Sequence, residues 1–287
     1  MRRVFAAALV LACAACATTS PPAPAADRPL VSAATAQLPE TAAQGSLLFG
    51  RALGATHVRY GVRELRIDEQ GHFVLGVGRE QEGSIELRIE WPDGRATTSS
   101  VRIVDREFPL EKVNGVPEQT VNPSPEIAAR MEREQARVNA ARDRDDGRSD
   151  YADRFIWPVQ GRISGVFGSQ RIYNGTPKSP HSGLDIAAGQ GTAVQAPAGG
   201  IVSFADRDLY LTGGTLLIDH GHGVSSNFLH LSRIDVKVGD RVEQGQVIGA
   251  VGATGRATGP HLHWGMNWFD VRVDPLLLVD PKENPQP

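Results

Sequence analysis

The run Gly259-Pro260-His261-Leu262-His263-Trp264 alternates polar and apolar side chains straight after a Gly-Pro turn, the pattern of a half-buried strand. The two-residue period of a strand puts both imidazoles on one face and turns Leu262 toward a core. Two further elements carry related chemistry. His181 and Asp185 in HSGLD lie four residues apart and face the same way in extended or helical backbone, and His230 sits in FLHLS. Zinc accepts imidazole nitrogen and carboxylate oxygen, and a catalytic site leaves one position open to water. Three of these five residues can hold such an ion, and two imidazoles remain to act on its water. An HxH or an HxxxD carries little alone; their succession in this order, each within a Gly-rich turn, carries much more.

Outward from this stretch, the chain from Phe155 onward reads as short strands broken by glycine: residues 200–204, 215–218 and 246–251. That density of Gly and Pro leaves little room for helix, so residues 151–280 are expected to form an antiparallel sheet or open barrel-like β domain. The loops at 168–180 and 252–260 are expected to wall a groove. Upstream, Ile85, Leu87, Ile89 and Trp91 alternate with Ser84, Glu86, Arg88 and Glu90 before a Pro92-Asp93-Gly94 turn. With runs at 58–67 and 73–77, residues 45–118 read as a small β-sandwich-like domain. Residues 119–150 read as a charged connecting helix capped by Ser124 with Pro125 in its first turn, solvated except for a thin stripe of Ile127, Met131 and Val138. The fold class is therefore mainly β, with that one helix between two β parts and a short tail at 281–287.

The five residues and their surroundings, from Trp157 to Leu278, resemble the LytM/lysostaphin-type zinc endopeptidases of family M23. Their pattern is HxxxD, then His-Leu in a strand, then HxH. The resemblance implies one Zn2+ per chain, held by His181, Asp185 and His263, with His230 and His261 as the catalytic pair. No HExxH helix supplies a glutamate base. It also implies a compact β fold with a groove over the zinc, and hydrolysis of peptide bonds in peptidoglycan stems or cross-links. In a diderm host the implied bond is a direct D-Ala–diaminopimelate cross-link. Degenerate members of the family lack zinc ligands and act as regulators of cell-wall amidases; all five positions are intact in this chain. Because uncontrolled wall hydrolysis is lethal, the N-terminal β domain or the Tyr173 loop is expected to restrain the site.

Residues 238–249 also resemble the hairpin of biotinyl or lipoyl carriers, but Lys237 precedes the motif and is not flanked by Met, which excludes that function. His220 and His222 read as turn residues beside Gly221 and Gly223, Asp219 and Asp240 as turn or supporting carboxylates, and His57 and His72 as surface residues. A net charge of −3 and a pI near 6.2, with no basic stripe, argue against nucleic-acid binding. Arg2 and Arg3 followed by the apolar run 4–12 read as an export signal too short for a confident membrane span. The two cysteines, Cys13 and Cys16, lie at its end, so residues 1–16 resemble a lipoprotein signal with a lipid anchor at Cys16, or at Cys13. Residues 17–44, rich in Ala and Pro, read as a flexible spacer. The expected location is the bacterial periplasm or outer membrane.

Overall fold

Alternation makes the first part of the chain a set of strands: β1 (Thr41–Ala43), β2 (Leu47–Arg51), β3 (His57–Tyr60), β4 (Arg63–Leu65), β5 (His72–Gly76), β6 (Ser84–Glu90) and β7 (Ala96–Val104). The computed structural model describes residues 35–114 and 123–284. The export signal, Cys13, Cys16 and most of the Ala/Pro spacer lie outside the described residues. One sheet runs β1-β7-β6-β3-β4, and β2 pairs with β5. In β6 the side chains of Ile85, Leu87 and Ile89 are buried while Ser84, Glu86 and Arg88 are exposed, as the period requires. Two expectations are corrected. The run at 58–67 is a hairpin rather than one strand, because Gly61 turns with φ 56° between Tyr60 and its partner Arg63. The end of the spacer is also structured: Thr41–Ala43 pair in parallel with Arg102–Val104.

The helix α1 (Pro125–Arg142) starts where Ser124 Oγ accepts the Ile127 N–H at 3.4 Å. Its contact with the sheet is narrow. Val138 packs with Phe204, Leu209 and Leu217, and Arg137 pairs with Asp206 at 2.8 Å. Arg142 departs from the expected solvated face. It is buried, and its Nη1 donates to Asn139 Oδ1 at 3.4 Å.

From Arg162 the chain adds β8 (Leu110–Val113) to its own β9 (Arg162–Gly165), β10 (Gln170–Tyr173), β11 (Thr176–Pro177), β12 (Leu184–Ala187), β13 (Ala193–Gln195) and β14 (Gly200–Leu209). The remaining strands are β15 (Gly213–Gly221), β16 (Val224–Leu231), β17 (Arg233–Ile234), β18 (Arg241–Val242), β19 (Val247–Ala250), β20 (His261–Trp268) and β21 (Val271–Val273). The large antiparallel sheet runs β18-β14-β15-β16-β20-β12-β9, with β21 also on β20, and β13-β19-β17 form a smaller sheet. The mainly β, antiparallel architecture is as expected. On β20 the side chains of Leu262, Trp264, Met266 and Trp268 fill one face of the core.

His220 is not a turn residue but a core residue of β15. Its Nδ1–H donates to Gly199 O at 2.6 Å and its Nε2 lies 2.7 Å from Ser226 Oγ. His222 does occupy the turn, with φ 49°, and meets Tyr151 Oη at 3.1 Å. His57 and His72 pair with Glu64 and Asp68.

The two β parts are fastened together. Arg106 reaches the buried Asp274 at 2.7 Å, Arg79 Nε donates to Gly168 O at 2.8 Å, and β5 packs on β20 where a Cβ at Gly76 would lie 2.7 Å from Trp268 Cβ. All described residues fall in one compact unit.

Candidate metal centre

Strand pairing brings the motif residues together. Asp185 on β12 lies directly opposite His263 on β20, which places their side chains on one face of the ladder. His181 precedes β12 in a turn held by two backbone bonds, Gly168 N to His181 O at 2.8 Å and His181 N to Ser169 O at 2.9 Å. Three donor atoms converge there. Asp185 Oδ1 lies 2.8 Å from His263 Nδ1 and 3.0 Å from His181 Nε2, and the two nitrogens are 3.1 Å apart. All three residues are buried, and among the described residues they form the group that could hold a metal ion.

The donor set suits zinc. Ligand bonds of about 2.0–2.2 Å in a tetrahedral site place ligand atoms roughly 3.3 Å apart, close to the separations found. His181 Nδ1–H donates to Val166 O at 2.9 Å, so its Nε2 carries the lone pair that faces the centre. At Asp185 burial works to raise the carboxyl pKa, but the close approach of the His181 and His263 rings outweighs it and holds the carboxyl far below the usual carboxylate range. Burial pushes His263 down to about 4, leaving it a neutral imidazole near pH 7.

His230 and His261 flank this trio. His230 closes β16 with φ 62°, an unusual backbone for a residue with a Cβ, and its Nδ1–H donates to Thr254 O at 2.8 Å. His261 Nδ1–H donates to Gly259 O at 2.9 Å. In the neutral tautomer this leaves each Nε2 without a proton, and that of His261 lies 3.9 Å from Asp185 Oδ1. The rings stand 4.7 Å apart, and burial lowers the His230 pKa. All five sequence-predicted residues thus meet at one place. Of the five, His181 lines a groove of about 1330 Å³ that is also bordered by Tyr173, Ser182, Tyr210 and Arg256 and draws on both loops expected to wall it.

Sequence reasoning missed Arg171. Its Nη2 donates to the other Asp185 oxygen, Oδ2, at 3.1 Å, and its Nε donates to Glu111 Oε2 at 3.1 Å. It also missed why glycine stands inside HSGLD. A Cβ on Gly183 would lie 2.4 Å from Trp264 O and 2.8 Å from His263 Nε2. The glycine was visible in the motif, whereas nothing local to Arg171 names its partners.

A family model described as Peptidase family M23 matches residues 179–275. The chain is 36% identical over 128 residues to the cell division protein DipM of Caulobacter vibrioides, a match covering 45% of this chain and 20% of that protein. It is 42% identical over 104 residues to the peptidoglycan DD-endopeptidase ShyA of Vibrio cholerae, covering 36% of this chain and 24% of that protein. These matches span only about a quarter or less of those curated relatives. A solved structure described as a peptidase M23 from Pseudomonas aeruginosa is similar over 83% of this chain and 94% of its own, at 32% identity and a TM-score of 0.64. Since that match takes in nearly the whole of a related structure, and the family model spans the strands that bring Asp185 and His263 together, the chain belongs to peptidase family M23.

Proposed function

We propose that the protein is a zinc-dependent endopeptidase that hydrolyses peptide bonds in peptidoglycan stems or cross-links. The observation that carries this reading is the convergence of His181 Nε2, Asp185 Oδ1 and His263 Nδ1 at a groove beside two further imidazoles with free Nε2 atoms. The relative named a peptidoglycan DD-endopeptidase supports the substrate class and favours a direct cross-link between stem peptides as the target.

In this reading His181, Asp185 and His263 hold one Zn2+. When bound, the ion would lower the pKa of water and polarise a scissile carbonyl. His230 and His261, each fixed by an Nδ1–H bond to a backbone carbonyl, keep Nε2 for the substrate and the attacking water. One accepts a proton from the attacking water and returns it to the leaving amine; the other, when protonated at Nε2, donates to the developing oxyanion. The lowered pKa of His230 keeps it in the neutral, proton-accepting form near pH 7. The groove walls orient an extended peptide. Export, with a lipid anchor at Cys16 or Cys13, is part of the same proposal and rests on the N-terminal sequence; among the described residues no helix is long and apolar enough to cross a membrane.

The test is digestion of purified, cross-linked peptidoglycan with and without a chelator, read by mass analysis of released muropeptides. Chelator-sensitive loss of cross-linked dimers is expected. Intact dimers after incubation with protein carrying one zinc per chain would overturn the enzymatic reading in favour of a peptidoglycan-binding regulator.

A further inference from the structure

One route from the N-terminal β part to the metal centre runs along a strand. After β7 the chain crosses to the peptidase part, and β8 pairs in parallel with β10, with Glu111 opposite Arg171. A parallel pair joining residues 60 positions apart is a deliberate connection, because its loop-closure cost is recovered only through contacts made at its end. Here that end is an ionic chain. Glu111 Oε2 accepts from Arg171 Nε at 3.1 Å, and Arg171 Nη2 donates to Asp185 Oδ2 at 3.1 Å. The division of Asp185 is clean: Oδ1 faces the two histidine nitrogens and Oδ2 faces the guanidinium.

The surroundings are shaped for this contact. A Cβ on Gly165 would lie 2.6 Å from Asp185 Oδ2 and 3.1 Å from Arg171 Nη2, so any other residue on β9 would push the pair apart. Arg171 retains 26% and Asp185 11% side-chain exposure, which shields their charges from water and makes the pairing count. A guanidinium offers donors in a rigid fork and can hold two carboxylates at once in fixed directions. An ammonium at the same place would be a point charge on a flexible stem.

We propose that Arg171, braced by Glu111, is a positioning residue that fixes the Asp185 carboxylate with Oδ1 toward the metal, so that β8 makes the N-terminal β part a structural component of the metal centre. This rests on the reading of Asp185 as a ligand. Supports of this kind orient the ligand before the metal arrives, and losing one typically costs about 10–100-fold in metal affinity. The role differs in sign from restraint: a part that merely covers the groove would leave the affinity of the site for metal unchanged when its contacts are cut.

The experiment measures Zn2+ affinity of the full chain by competition with a chromophoric chelator. It also records the visible ligand-field spectrum after Co2+ substitution. Arg171→Gln should weaken Zn2+ binding about 10–100-fold and shift the Co2+ bands, and Arg171→Lys should recover part of the loss. Glu111→Gln, a conservative change on a half-exposed side chain, should weaken binding by a smaller factor. If Glu111 acts through Arg171, the double variant Glu111→Gln/Arg171→Gln should bind no more weakly than Arg171→Gln alone. Unchanged or tighter Zn2+ binding with an unshifted Co2+ spectrum in Arg171→Gln would overturn the proposal, as would strictly additive losses in the double variant. His181→Ala separates this failure from that of the underlying reading. If it abolishes stoichiometric zinc while Arg171→Gln does not weaken it, the ligand set stands and the positioning role falls. If His181→Ala retains zinc, the ligand set itself falls.

Discussion

Replacing Gly183 by alanine tests whether the glycine inside HSGLD is there to let β12 and β20 close around the metal centre. The added methyl would meet Trp264 O at 2.4 Å, His263 Nε2 at 2.8 Å and Gly265 Cα at 2.9 Å, all well inside ordinary contact. Two of these neighbours are backbone atoms of β20, which is paired on both sides, to β12 and to β16. They cannot turn away as a side chain can. The relief available is to spread the ladder at Leu184–Trp264, or to rotate the His263 ring and carry Nδ1 off Asp185. Overpacking of this kind costs about 1–3 kcal/mol. For a chain of this size each kcal/mol lowers Tm by roughly 2–4 °C. Displacing His263 should also weaken zinc binding by about 10–100-fold, as for other lost supports. The assay pairs urea unfolding of the metal-free protein with Zn2+ competition, using Gly147→Ala as control. A Cβ at Gly147 meets nothing within 4 Å, and that change should stay within about 0.5 kcal/mol of the parent. Gly183→Ala matching this control in both stability and zinc affinity would refute the packing argument.

Other outcomes follow from the same geometry. His181→Ala and Asp185→Ala should each lose zinc and peptidoglycan hydrolysis together; metal at full stoichiometry by atomic absorption would remove that residue from the ligand set. His261→Ala should keep its zinc and lose turnover by about 10²–10⁴-fold, the usual range for a positioned proton-transfer group; near-normal turnover would deny it that role. Buried His220, pushed down to about 4 by desolvation, should make stability pH-dependent. The unfolded chain takes up the proton near pH ~6.5 and the folded chain only near 4. Its contribution is therefore full above pH ~6.5 and falls by about 3 kcal/mol as pH drops to about 4. Urea midpoints for the parent and His220→Gln should diverge over that interval, and parallel pH slopes would contradict it.

The fold class, the helix cap at Ser124 and the grouping of five catalytic-type residues were all legible in the chain. Each is written in a local period or a short spacing: the alternation of β6 and β20, the Ser-Pro-Glu start of α1, and the four-residue step from His181 to Asp185. Local pattern misled where a residue type carried a default meaning. His220, flanked by glycine, is a core residue because β15 is covered on both faces, and Arg142, amid charged neighbours, is buried at the end of α1. What the sequence alone determined, then, is which residues belong to strands and which side chains have metal-ligand chemistry, since backbone period and donor type are properties of neighbours in the chain. Only the tertiary structure decided which nitrogen of each histidine faces the centre, why Gly165 and Gly183 must lack a Cβ, and that Glu111 and Arg171 stand behind Asp185. Those facts depend on pairings such as β8 with β10 and β12 with β20, which join residues 60 and 78 positions apart and leave no periodic trace in the stretches they connect.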